Sequence, residues 1–196
     1  MPRPVPWDWA RPRLLPLLCG PIIDPPGERV VRTVAGPGCA IEIGMDLGGV
    51  FPVVDASVAE RWETSPDQLR DAALANLRRR TARLSPASLS TGAFSGRIVR
   101  MLRGPAGYAA SLVLLRDELM RIFGSQDQIL AAPGRSLLVS FPIDAPLDVV
   151  VDTVIDLELS QPLPLMLDPF LLTDGRLVWQ PTASDPDEED LGRLAG

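Results

Sequence analysis

Eight prolines fall within the first 27 residues, at positions 2, 4, 6, 12, 16, 21, 25 and 26. Each removes a backbone donor and fixes φ, so so dense a stretch cannot run as a regular helix. It is therefore expected to be an extended N-terminal arm, residues 1–27, ahead of a core domain at 28–181. The arm carries Trp7 and Trp9, two of the four tryptophans, with Arg11 and Arg13 close behind. Indole rings beside guanidinium groups suit docking, either back over the domain's own core or onto another chain. Trp7, Trp9, Arg11 and Arg13 are thus the candidate partner-binding residues.

Beyond residue 28 the pattern alternates between strand and helix signals. Valine- and isoleucine-rich segments at 29–34, 39–46 and 50–54 read as strands, and a short helix is expected around Ser57–Glu63. Ser65, Pro66 and Gln68 then give a capping-box start to a longer helix. Leu69, Ala73, Leu77 and Leu84 would form its buried stripe, with Arg78, Arg79 and Arg80 at the C-terminal dipole end. Residues 85–95 read as a loop, and Gly96–Arg103 as a strand. A second long helix is expected from Tyr108 to Phe123, with Leu112, Leu115, Leu119 and Ile122 on one face and Gly124 as its stop. Hairpins follow at Gln128–Ala132/Ser136–Phe141 and at Pro169–Leu172/Arg176–Trp179.

Leu147–Leu159 fits two periods. Val149, Val151, Thr153, Ile155, Leu157 and Leu159 suit a strand face, and β-branching favours that choice. Leu147, Val150, Val151, Val154 and Glu158 suit a helical one, and the start signal at Asp144 and Pro146 selects helix. The expected fold is a single α+β domain with a mixed or mostly antiparallel sheet and about three helices.

Several of these features recur in a known order. A strand ends Phe51-Pro52-Val53-Val54, and Val58, Trp62, Ser65 and Pro66 lead into a helix with Ala73, Asn76 and Leu77. A second helix, Leu115–Leu119, precedes a hairpin with Ala131-Ala132-Pro133 and Leu137-Leu138-Val139. From about residue 41 to 141 this order resembles the uncharacterised bacterial YtpQ-like family. The resemblance implies an α+β fold and brings no activity or site residues with it.

The chemistry of the chain is bounded by what it lacks. All nineteen basic residues are arginine, and there is no histidine; the lack of lysine fits a GC-rich bacterial genome. Without imidazole there is no Ser-His-Asp or Cys-His machinery and no histidine zinc site. Without lysine there is no P-loop, Schiff base or Ser-Lys dyad. Cys19 and Cys39 form no CxxC pair and read as small buried hydrophobes in a reducing compartment. No cofactor is expected.

What survives is carboxylate and arginine chemistry. Asp144, Asp148, Asp152 and Asp156 recur every four residues, which on a helix gives an acidic row able to hold magnesium or calcium, or else a face that is solvated or turned to an arginine row such as Arg78–Arg80. Glu42, Asp46 and Asp55 form a second acidic set on or beside neighbouring strands, a catalytic pair only at the right separation. Residues 182–196 read as a flexible acidic tail: Ser184–Asp190 holds five acids of a chain whose net charge is −6. That balance disfavours nucleic acid, and no apolar run is long enough for a membrane span. The expectation is a cytoplasmic, non-catalytic domain that binds a protein partner or self-associates through its arm. The alternative is a small enzyme dependent on carboxylates and a divalent cation.

Overall fold

The structure, a computed structural model, describes residues 5–20, 30–36, 39–94, 96–104, 108–162 and 164–179. The proposed tail at 182–196 and residues 1–4 and 21–27 of the proposed arm lie outside the described residues. Within them the chain is an α+β domain with two antiparallel sheets.

Over its described residues, 5–20, the proline-dense segment is packed into the domain rather than extended as a separate arm. Trp7–Ala10 forms one helical turn, α1, and a 3-10 turn at Arg11–Arg13 leads into strand β1, Leu14–Cys19. All six residues of β1 are buried. The proline argument holds for a long helix but overlooks that proline is tolerated in an edge strand, where no neighbour needs its N–H. Pro16 sits in such a strand. β1 pairs with β3, Cys19 opposite Ala40 and Leu14 opposite Met45, and β3 (Cys39–Met45) pairs in turn with β2 (Arg32–Gly36). The packed core therefore includes residues well before position 28.

Helix α2 (Ala56–Arg61) is capped by the Asp55 carboxylate, which accepts from the Ser57 N–H at 2.7 Å. Helix α3 (Pro66–Thr81) opens on the full capping box between Ser65 and Gln68. It buries Leu69, Ala73, Asn76, Leu77 and Thr81. Leu69 and Ala73 join Leu14, Val31, Ile41, Ile43, Val54 and Ala59 in one core cluster over the three-stranded sheet. Val50–Val54 forms no full strand; Val53 makes a single bridge to Gly44.

The larger sheet has six strands in the order β4-β5-β7-β6-β8-β9. They are β4 (Ser90–Phe94), β5 (Arg97–Arg103), β6 (Gln128–Gly134), β7 (Leu137–Pro142), β8 (Phe170–Thr173) and β9 (Arg176–Trp179). β4 falls in the stretch expected to be a loop. Its small residues are mostly exposed at a sheet edge, so no buried face marks it in the sequence. Alternate side chains of the sheet pack into different clusters, as a period of two requires. Leu102, Leu130, Ala132, Leu138, Phe170 and Leu172 meet helix α4 (Arg116–Phe123), the preceding 3-10 turn Ala110–Leu114, and Leu15 and Leu18 of β1. Val99, Met101, Ala131, Leu137, Val139 and Phe141 meet helix α5 (Leu147–Leu159).

The expected single helix from Tyr108 to Phe123 is broken at Leu115, whose φ of −118° and ψ of 76° leave the helical region. Leu112, Leu115, Leu119 and Ile122 are nonetheless all buried, and Gly124, at φ 94°, ends the helix in a conformation glycine tolerates. At 147–159 the chain is helical, with Val150, Thr153, Val154 and Leu157 buried. The buried face is rotated from the expected one, because Leu147 stays 51% exposed.

Candidate functional site

The four residues proposed for partner binding come together, but mostly in the service of their own domain. The Trp7 and Trp62 rings lie 5.6 Å apart at 50°, and the Trp62 indole N–H donates to the Val5 carbonyl at 2.7 Å. Asn76, buried on α3, donates to the Arg11 and Leu14 carbonyls at 2.7 and 2.9 Å, and accepts from Arg79 at 2.7 Å. Arg13 stacks on Trp9 at 4.0 Å from the ring centroid and donates to the Trp9 carbonyl at 2.6 Å. Trp9, 42% exposed, is the one aromatic face of the segment left largely open.

The aspartate row is placed on the surface. Asp144 precedes α5 in a turn and pairs with Arg97 at 3.2 Å. Asp148, Asp152 and Asp156 are exposed on the helix, with no ion-pair partner among the described residues. No group of three or more cysteine, aspartate or glutamate side chains among the described residues is arranged to hold a metal ion.

Beside that row runs a second one, which the sequence reading did not isolate. Leu147, Val151, Ile155 and Leu159 also recur every four residues, and Leu147, Ile155 and Leu159 are 51%, 48% and 82% exposed. Steps of four advance about 40° around a helix, so the two rows run side by side. Between α5 and the segment leading into β8 lies a groove of about 230 Å³, lined by Val151, Val154, Ile155, Glu158, Met166, Leu167, Asp168 and Pro169. Glu158 Oε1 is buried there without a hydrogen-bond partner among the described residues. Burial raises the Glu158 carboxyl above its usual range, with the Met166 N–H pulling the other way. The valine-rich composition that made this segment equally readable as a strand hid the apolar row.

The second acidic set is dispersed into separate tasks. Asp55 caps α2. Asp46 pairs with Arg80 at 2.6 Å and accepts from the Gly48 and Gly49 N–H groups. Glu42 is buried between two arginines: its Oε1 takes Arg32 Nη2 at 2.6 Å, and its Oε2 takes Arg135 Nη2 at 3.2 Å. Cys19 Sγ lies 4.0 Å from the same Arg135 nitrogen. Both thiols are free and buried. Desolvation, with Glu42 nearby, pushes Cys19 up to about 11, and desolvation pushes Cys39 up to about 12. Both shifts favour the protonated thiol near neutral pH over the thiolate, which is the reactive form. No helix among the described residues is long and apolar enough to cross a membrane. Comparison with protein-family models, curated proteins and solved structures gives no match.

Proposed function

We propose that the protein is a non-catalytic protein-binding domain whose docking surface is α5, and that its partner presents a cationic amphipathic helix. The carrying observation is the apolar row of exposed Leu147, Ile155 and Leu159 with half-buried Val151 between them, beside the aspartates Asp148, Asp152 and Asp156. An apolar helix face normally turns inward, and contiguous exposed apolar surface rimmed by charge marks an interaction site. Aspartates four residues apart repel one another by about 0.2–0.5 kcal/mol per pair. A partner with arginine or lysine flanking its apolar side chains would relieve that repulsion. It would also supply a donor for Glu158 Oε1. A second copy docked through α5 would bring acid against acid. The Trp9–Arg13 stack is a separate, smaller contact surface, since Trp7 is spent on Trp62. The non-catalytic part of the reading rests on the thiols being held protonated and the strand carboxylates being tied up by arginines and backbone N–H groups.

The test uses two designed helical peptides of about 18 residues, long enough to carry a continuous face. Both have leucine on one face; one has arginine and the other glutamate elsewhere. Fluorescence anisotropy should show binding of the arginine peptide alone, weakening as salt screens the exposed charges. Ile155→Asp should cut affinity at least tenfold, and Asp148→Asn/Asp152→Asn/Asp156→Asn should weaken binding and flatten its salt dependence. Equal affinity for both peptides, or indifference to Ile155→Asp, would sink the proposal.

A further inference from the structure

A sheet edge is a row of backbone N–H and C=O groups without a partner, and proteins blunt such rows with charge, proline, bulges, short strands or covering elements. The two sheets end in four edge strands among the described residues, β1, β2, β4 and β9. Three of them are blunted. β1 carries Pro16, and Ser111 and Asn76 engage its backbone at Leu14, Pro16 and Leu18. The register of β2 shifts between Val34 and Gly36. β9 has only four residues and opens on Arg176. β4, Ser90-Thr91-Gly92-Ala93-Phe94, has none of these devices. It holds no charge and no proline, it pairs with β5 without a shift, and Ser90, Thr91 and Ala93 are exposed.

The sequence of β4 also fits a copy of itself. An antiparallel pairing that engages all five residues of each strand sets Gly92 opposite the second copy's Gly92, Thr91 opposite Ala93, and Ser90 opposite Phe94. No like charges meet across such a join. The Phe94 ring leans back over Gly92: its Cε2 lies 3.2 Å from where a Cβ on Gly92 would stand, and Met101 Cε lies 2.9 Å from the same point. Glycine leaves that space to the ring, which is half-buried from one side only. With Gly92 on a two-fold axis, the two rings lean towards each other from either side of it, where an aromatic pair adds to the area it buries.

We propose that two copies of the chain pair through β4 about a two-fold axis at Gly92, so that two six-stranded sheets become one. This surface is separate from the α5 row. A two-fold contact is closed, and assembly ends at the dimer. Five residues a side fall short of the roughly 20–30 of a standard stable interface, so the dimer is reversible and grows with concentration. A net charge of −6 on each chain opposes the approach of a copy. Salt therefore strengthens this contact, the reverse of its effect on the α5 peptide.

Sedimentation velocity on the full chain, across micromolar concentrations and at low and high salt, reads the assembly. The dimer fraction should rise with both, and nothing larger should form. Ala93→Lys, at an exposed edge position, should weaken dimerisation at least tenfold and leave the circular dichroism spectrum unchanged. Adding Thr91→Glu should restore it, since each new carboxylate faces the other copy's new amine. Oxidation of an equimolar mixture of Thr91→Cys and Ala93→Cys proteins reads the register. Facing positions lie about 4.5–5.5 Å apart between Cα atoms, within disulfide reach, whereas Thr91 and its own copy stand about 7–8 Å apart on the diagonal. Cross-links should join unlike proteins only; the native thiols are buried. A chain that stays monomeric throughout, assembles beyond the dimer, or dimerises undiminished as Ala93→Lys would overturn the proposal, as would cross-links between like proteins. The Ile155→Asp variant should dimerise normally, so failure here is distinguishable from failure of the α5 reading.

Discussion

Removing residues 1–19 should abolish cooperative folding, although composition alone would present this segment as a dispensable arm. The deletion takes away β1 and with it Leu14, Leu15, Leu17 and Leu18, each 0% exposed. Full burial of a leucine is worth about 1.5–3 kcal/mol, so the four together contribute about 6–12 kcal/mol. The whole stability of a domain is about 5–15 kcal/mol. The loss also uncovers Ile41 and Ile43 on β3 and strips Asn76 of both carbonyl acceptors. Urea unfolding followed by far-ultraviolet circular dichroism reads the result. The full chain should give one sigmoidal transition, and the truncated chain a shallow, non-cooperative loss of signal. A graded version is Leu15→Ala, expected to cost about 2–5 kcal/mol and to lower the midpoint by roughly 1–2 M urea. A truncated protein that unfolds with the midpoint and slope of the full chain would refute the burial argument outright.

Other outcomes follow from named contacts. Ser65→Ala removes half of the α3 capping box and should cost about 1 kcal/mol in the same assay. Asp152→Asn/Asp156→Asn relieves like-charge repulsion on α5, so it should leave the melting temperature unchanged or slightly higher while weakening the arginine peptide. Cys19 and Cys39 titrate in the folded protein at about 11 and 12, above their ordinary 9.0. The protonated form is thus favoured by folding; this stability is complete below pH 9 and is lost as pH rises through 11–12. Cys19→Ser/Cys39→Ser should flatten that alkaline decline, and the native thiols should react slowly with a thiol–disulfide reagent at pH 8. For Asp46, burial alone would raise the carboxyl, but Arg80 and the Gly49 and Gly48 N–H groups outweigh it and hold it below 3.8. Its contribution is present above pH 3.8 and lost as pH falls through the folded value, so Asp46→Asn should reduce acid sensitivity in melts between pH 5 and about 2.

The elements legible in the sequence are those whose signal is local. Ser65, Pro66 and Gln68 announce α3 through bonds made within one turn, and Gly124 ends α4 by its own backbone freedom. Leu112, Leu115, Leu119 and Ile122 mark a buried face even though the helix breaks between them. Elements defined by distant partners were not legible. β1 looks like a poor strand until Ile43 stands opposite Pro16, and β4 has no buried face to betray it. The same contrast holds for the sites. Asp148, Asp152 and Asp156 show their common face in their spacing, whereas the cluster of Glu42, Arg32 and Arg135 joins residues 93 positions apart. No periodicity reports such a meeting, and Arg135 by itself reads only as the polar residue of a hairpin turn.

The Ser111 hydroxyl donates to the Pro16 carbonyl at 2.7 Å and accepts from the Leu18 N–H at 3.3 Å, bridging 95 and 93 positions of chain. During vectorial synthesis at about 5–20 residues per second, the leucine-rich strand therefore leaves the ribosome roughly 5–20 s before the residue that pins its outer edge. For that interval a sticky edge is open to any passing strand. Pro16, by denying one N–H in its middle, makes the segment a poor template for such trespass until Ser111 arrives.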